Sequence, residues 1–121
     1  MLLVAVGLAA PARLAQANPS HELARARGEY QSGEYRKVVD ILYGELYPRT
    51  RIADGEELKE AHLLLGVSYF YLDESEAAKR EFVALLYIDP AYALDPVLES
   101  PEVYAYFETI RFDLAEKLVE L

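Results

Sequence analysis

Residues Lys59–Tyr92 read KEAHLLLGVSYFYLDESEAAKREFVALLYIDPAY, and the spacing of their apolar side chains decides the fold. Leu58, Ala61, Leu65 and Tyr69 recur at helical spacing. Leu63, Leu64, Val67 and Phe70 occupy much of the remaining circumference. A helix that apolar is covered on more than one face. Asp54, with Glu57 three residues on, forms a capping box at its start, and the helix runs to about Leu72. Asp73 and Glu76 repeat that logic. A second helix is therefore expected from Glu74 to about Ile88, burying Ala78, Phe82, Leu85 and Leu86, and Asp89-Pro90 closes it.

Upstream, the same signals predict two more helices. One spans about Ser20 to Ser32, with Leu23, Ala26 and Tyr30 on one face, Pro19 before it and Gly33 ending it. The next spans about Glu34 to Tyr47, with a stripe of Tyr35, Val38, Val39, Leu42 and Leu46, and Pro48 stops it. Arg49 to Ala53 is a polar, charged connector. Downstream, Ala91 to Ser100 holds Pro96 and ends before Pro101, so it is expected to be extended or turn-like. Ser100 as N-cap and Pro101 at the first helical position start a fifth helix, to about Leu121. Its stripe is Val103, Tyr106, Phe107, Ile110, Leu114 and Leu118. No stretch alternates as a strand would. An all-α fold is expected.

Met1 to Ala12 is almost wholly apolar and too short for a comfortable transmembrane helix of roughly 20 residues. Ala15-Gln16-Ala17 follows as a small-x-small pattern, and Asn18-Pro19 breaks any continuing helix. This is the layout of a secretory signal peptide over residues 1–17, with cleavage after Ala17 and a periplasmic or otherwise exported domain over residues 18–121. No Lys or Arg precedes the apolar run. The alternatives are an uncleaved membrane anchor or an apolar helix packed on the domain.

The 121 residues suffice for one domain with a modest core. The absence of cysteine removes disulfides, thiolate metal sites and thiol nucleophiles. Asp and Glu number 21 against 12 Lys and Arg, for a formal charge of −9. Binding a polyanion requires clustered basic residues, so nucleic acid and anionic lipid are poor partners. No cofactor or metal site is expected. Of the two histidines, His62 sits at a helix-packing position and His21 in an exposed first turn. No Ser lies in a nucleophile elbow, and no Gly-rich phosphate loop occurs. The carboxylates read as caps and outward faces. The expectation is a protein without catalytic activity.

Lys59–Tyr92 has the 34-residue tetratricopeptide period, and it resembles that family residue by residue. Leu65-Gly66 match the Leu-Gly pair and Tyr69 the following aromatic. Ala78 matches the small contact position, Phe82 the large residue four on, and Pro90 the terminating proline. His62 and Leu85 depart from the usual Trp and Ala. Residues 19–58 resemble a divergent second copy, through Ala26, Gly33 and Tyr35, with Val38 and Leu42 replacing Ala and an aromatic. The stretch IDPAYALDPVLESPEV, with YFETIR after it, resembles tetratricopeptide proteins of the bacterial cell envelope. The resemblance implies helical hairpins stacked as a short right-handed solenoid: repeats over about 19–58 and 59–92, and a capping helix over about 101–121.

In that family the first helix of each pair lines a concave groove. By position the groove would hold Leu23, Arg27 and Tyr30 from the first repeat, and Leu63, Val67, Phe70 and Tyr71 from the second. The resemblance therefore implies a protein-interaction module that takes a helix or apolar peptide. The subclass that grips a C-terminal carboxylate places Lys and Asn where this chain has Leu63 and Val67. The alternative at Leu63 and Val67 is core, covered by the fifth helix or the N-terminal segment. Two repeats leave open ends, so self-association into a homo-oligomer is the second functional reading, and a piece of a longer envelope protein the third. Ten tyrosines without tryptophan suit an interaction surface.

Overall fold

Five α-helices build the protein in a computed structural model that describes residues 18–120, with side-chain surroundings as far as Lys117. They are α1 (Pro19–Gln31), α2 (Tyr35–Leu46), α3 (Gly55–Tyr71), α4 (Ser75–Ile88) and α5 (Pro101–Glu120). No strand occurs among the described residues. The expected leader at Met1–Ala17 and the Leu118 position of the fifth stripe lie outside what is described. Each helix packs on its neighbour in sequence up to α4, α1 also lies beside α3, and α5 packs on α4.

The caps explain where the helices begin. Asn18 Oδ1 accepts from the amides of Ser20 (2.8 Å) and His21 (3.3 Å), and Pro19 follows it. Asp54 Oδ2 accepts from the Glu57 amide at 2.9 Å. Glu57 does not complete the box by reaching back; its Oε1 takes the Ser20 hydroxyl at 2.8 Å and so ties the start of α1 to the start of α3. Ser100 Oγ accepts from the Val103 amide at 3.2 Å and opens α5 as expected. The reading of Asp73 as an N-cap is corrected. Asp73 sits in the left-handed region at φ 61°, and α4 is preceded by Glu74, whose side chain makes no cap bond. A short polar residue tolerates that conformation.

The two hairpin turns coincide bond for bond at an offset of 40 residues. The amides of Ser32, Gly33 and Glu34 donate to the carbonyls of Gly28 and Glu29, of Tyr30, and of Glu29. Those of Leu72, Asp73 and Glu74 donate to Ser68 and Tyr69, to Phe70, and to Tyr69. The left-handed residue is Gly33 (φ 75°) in the first turn and Asp73 in the second. Both are helix C-termini closed by a backward six-residue bond of the Schellman type.

The core gathers Leu23, Ala26, Val38, Leu42, Leu65, Val67, Ala78, Phe82, Leu85, Val103 and Phe107, all without exposed surface. Gly66 lets α3 approach α4: a Cβ built there would meet Phe82 Cε1 at 2.4 Å and Cδ1 at 2.6 Å. The connector is less polar in effect than its composition, because Ile52 is buried. The placement of all carboxylates at caps and outward faces is also corrected, since Glu45 and Glu81 are buried. Arg51 answers Glu45 at 3.3 Å.

Candidate functional site: the face shared by α1 and α3

The seven residues assigned to a groove separate into enclosed and accessible ones. Leu23 and Val67 have no exposed surface, so a partner docking on this face would touch neither; both belong to the core. Leu63 and Phe70 are half-buried and pack against that core. Arg27 is exposed and forked onto Glu60, Nε to Oε2 at 2.6 Å and Nη2 to Oε1 at 2.7 Å. Tyr30 is half-buried, and Tyr71 remains 42% exposed.

The connector between α4 and α5 lies along this face, and Tyr106 of α5 reaches Phe70. The connector's path is fixed by contacts at both ends of α3. Asp89, where the connector leaves α4, accepts from Lys59 Nζ at 3.2 Å near the start of α3. Ser100, where it enters α5, accepts from the Tyr71 hydroxyl at 2.9 Å at the end of α3. Between them Tyr92 is half-buried, Leu94 is buried, and Glu99 receives the Tyr30 hydroxyl from α1. Residues 92–100 thus form a strap laid along α3.

The strap is held unequally. Its first residues are clipped by Arg111 of α5, whose guanidinium donates to the carbonyls of Pro90 and Tyr92 while it lies over the Phe107 ring. Tyr92 meets the same ring edge-on. In the middle, Asp95 builds a tight turn, accepting from the Val97 amide through Oδ1 (2.8 Å) and from Leu98 and Glu99 through its carbonyl. That turn presents Val97 (87% exposed) and Leu98 (79%) to solvent. At the far end the Tyr30 hydroxyl reaches both Glu99 oxygens only at 3.4 Å, the outer limit of a hydrogen bond. Desolvation raises the Glu99 carboxyl above its ordinary value, with Asp95 adding to the effect and the Tyr30 bond opposing it. Burial, then the neighbouring carboxylate, pushes the Tyr30 hydroxyl up as well.

Aromatic rings run from this face into the core without a break. Tyr30 meets Tyr35 edge-on (5.9 Å), and Tyr35 stacks on Tyr71 (4.8 Å). Tyr71 touches Phe70 (5.7 Å), Phe70 touches Tyr106 (5.3 Å), and Tyr106 and Phe107 both flank Phe82. Such contacts add about 0.5–1.5 kcal/mol each beyond burial. They account for several of the tyrosines by packing.

A second polar constellation sits between α2, α3 and α4. Glu81 is wholly buried: its Oε1 accepts from His62 Nδ1 at 2.8 Å, and its Oε2 from the Tyr47 hydroxyl at 2.8 Å and Arg80 Nε at 3.2 Å. The Arg80 guanidinium also lies over the Tyr47 and Tyr69 rings. Burial, followed by the bond to Glu81, raises the Tyr47 hydroxyl. Every carboxylate oxygen is answered, so the cluster acts as a cross-link among three helices. Among the described residues, no three His, Asp or Glu side chains converge as a metal site requires, and no helix is long and apolar enough to cross a membrane.

Glu99, Leu94, Tyr92 and Arg111 were not singled out from sequence. Leu94, the apolar side chain between Tyr92 and the Asp95-Pro96 turn, was the available signal for a buried strap. Nothing local marks the Glu99 contact or the Arg111 clip, whose partners there lie 69 and 19 to 21 residues away. Comparison with protein-family models, with curated proteins and with solved structures returned no significant match.

Proposed function

We propose that this chain is a non-enzymatic protein-interaction module of the tetratricopeptide type, with two hairpin repeats closed by α5. The observation that carries the reading is the coincidence of the α1–α2 and α3–α4 turns, bond for bond, at an offset of 40 residues, six more than the 34-residue period, with the excess in the connector Arg49 to Ala53. Repeated hairpins that pack only on their neighbours bury one continuous core and leave the first helix of each pair on a common face. The lateral packing of α1 on α3 fits that arrangement. A segment of peptide already lies on the face, which supports its use as a peptide-binding groove.

The partner is a protein or peptide segment, anchored by apolar side chains and bounded by Arg27, Tyr30 and Tyr71. In this reading the module is exported by the leader at Met1–Ala17 and serves an assembly of the bacterial envelope. A photo-crosslinking amino acid at Tyr71 tests the first claim in the native cell. The expected result is an adduct with a second protein that does not form from Asp113 on α5. Absence of any adduct at Tyr71 overturns it. An adduct of twice the chain's mass favours the self-association reading instead, which the exposed Tyr71, Val97, Leu98, Tyr104 and Phe112 side chains support. Mass spectrometry of the native N-terminus tests export; Asn18 is expected, and Met1 refutes it.

A further inference from the structure

Four large side chains left in solvent gather around Ser100, where the strap meets α5. Val97 (87% exposed) and Leu98 (79%) stand just before it in the chain. Tyr104, one turn into α5, donates its amide to the Ser100 carbonyl at 3.0 Å, and the Tyr71 hydroxyl donates to Ser100 Oγ at 2.9 Å. Both tyrosine side chains are themselves exposed. The strap stays pinned, and the turn built on Asp95 holds the two aliphatic side chains outward. Apolar side chains gathered in this way on a surface mark a place of interaction.

The rim of that patch is acidic. Asp95 carries the turn, Asp73 follows Tyr71 by two residues, and Glu102 lies in the first turn of α5; all three are exposed. Among the described residues no Lys or Arg pairs with any of them. Arg36 and Lys37, in the first turn of α2, are engaged with Glu74 at 2.7 Å and Glu29 at 4.0 Å. Glu99 is half-buried beside the Tyr30 hydroxyl and has no cation either. Desolvation, with Asp95 adding to it, raises its carboxyl above the ordinary value, and a cation arriving there would favour the charged form. A second copy of this chain would set one acidic rim against another, which charge repulsion opposes.

We propose that this patch docks a cationic apolar segment of another protein. Leucine- or phenylalanine-like side chains of the partner cover Val97, Leu98, Tyr71 and Tyr104, and flanking Lys or Arg side chains meet Asp73, Asp95 and Glu102. The strap does not move; its outer side is part of the docking surface. The apolar contacts supply affinity, and the acidic rim supplies steering and the choice of partner. The proposal rests on the protein-binding reading above and adds the chemistry of the partner.

The probes are two fluorescein-labelled heptapeptides, KLLKLLK and ELLELLE, titrated against the full chain by fluorescence anisotropy at about 0.15 M salt. The lysine peptide is expected to bind at least about tenfold more tightly than the glutamate peptide. Val97→Ser with Leu98→Ser alters only exposed side chains, so the fold is retained, and lowers affinity for KLLKLLK at least about tenfold. Asp73→Asn with Glu102→Gln lowers it about threefold, and that difference closes at about 1 M salt. Tyr87→Ser with Glu116→Gln, changes made away from the patch, leaves it as in the wild type. Equal binding of the two peptides, or an equal loss in the Tyr87, Glu116 variant, reduces the attraction to the chain's net charge and overturns the proposal. A dimer in sedimentation that Leu98→Ser dissociates overturns it too, because a second copy then occupies the patch. A crosslinked partner at Tyr71 with unselective peptide binding leaves the module reading standing and removes this one. Selective peptide binding with no cellular adduct does the reverse.

Discussion

Gly66→Ala is the substitution on which the close α3–α4 contact depends. In an exposed helix interior, Gly→Ala stabilises by about 0.5–1 kcal/mol, because glycine loses more backbone freedom on folding. At Gly66 the added methyl meets Phe82 Cε1 at 2.4 Å, Cδ1 at 2.6 Å and Cζ at 3.0 Å. Ordinary carbon contacts begin near 3.5 Å, so the ring or the helix must yield by about 1 Å. The ring cannot turn aside cheaply: Phe82 has no exposed surface, and Tyr106 and Phe107 stand at 6.2 and 5.2 Å from its centroid. Overpacking of this kind costs about 1–3 kcal/mol. Set against the helical gain, Gly66→Ala is destabilising by up to about 2 kcal/mol. Gly28 and Gly44, whose added Cβ would meet nothing within 4 Å, supply controls in α1 and α2 that gain the full helical benefit. Thermal melts of the three variants should separate by several degrees, since each 1 kcal/mol shifts a domain of this size by about 4–8 °C. Partial rescue by Phe82→Leu is expected only in the Gly66→Ala background. A Gly66→Ala protein that melts as high as Gly44→Ala would refute the contact.

The hairpin turns make a paired prediction. Gly33→Val and Asp73→Val each cost about 1–2 kcal/mol in denaturant titrations, while Gly33→Asp and Asp73→Gly stay within about 0.5. In the buried cluster, Glu81→Ala strands the His62 ring and the Tyr47 hydroxyl and costs about 3 kcal/mol, whereas Glu81→Leu with His62→Phe and Tyr47→Phe recovers most of it; a cycle of chemical melts reads the coupling. Glu99→Gln tests the strap's carboxylate through pH. The folded-state value of Glu99 is raised above the ordinary 4.5. Its stabilising contribution is therefore fully present below the unfolded value and is lost as pH rises through the folded one. Glu99→Gln should melt slightly above the wild type at neutral pH, with the gap closing as the pH falls below about 4. A gap that widens in acid contradicts the desolvation of Glu99.

Helix placement was legible because it rests on local signals. Asn18-Pro19, Asp54, Ser100-Pro101 and the terminating Pro48 and Pro90 each act within a few residues, and all five helices fall within two residues of their expected ends. Asp73 misled for a local reason too: an Asp before Glu, Ser and Glu reads as a cap, yet the same short side chain also tolerates the left-handed turn. Long-range chemistry was not legible. Glu81 lies on the apolar side of α4 and looks like a solvated residue until His62 and Tyr47 are brought to it from 19 and 34 residues away. Leu23 and Val67 were placed on the correct helices, but their burial depends on packing between helices that position along the chain does not show.

The strap bears on how the two helical hairpins are closed along α3. A longer array of hairpins buries the lining of each first helix against the next repeat, but here α1 and α3 have no further copy beside them among the described residues. Leaving Leu63 and its neighbours wet would expose an apolar strip of the kind that marks aggregation or binding. The strap runs along α3 and is pinned at Asp89, Pro90, Tyr92 and Ser100. Ordering each of its residues costs about 1–2 kcal/mol, and burying Leu94 contributes about 1.5–3. The Arg111 clip and the ring contact at Tyr92 contribute at one end, and the 2.9 Å bond from the Tyr71 hydroxyl to Ser100 contributes at the other, next to the partly desolvated Glu99.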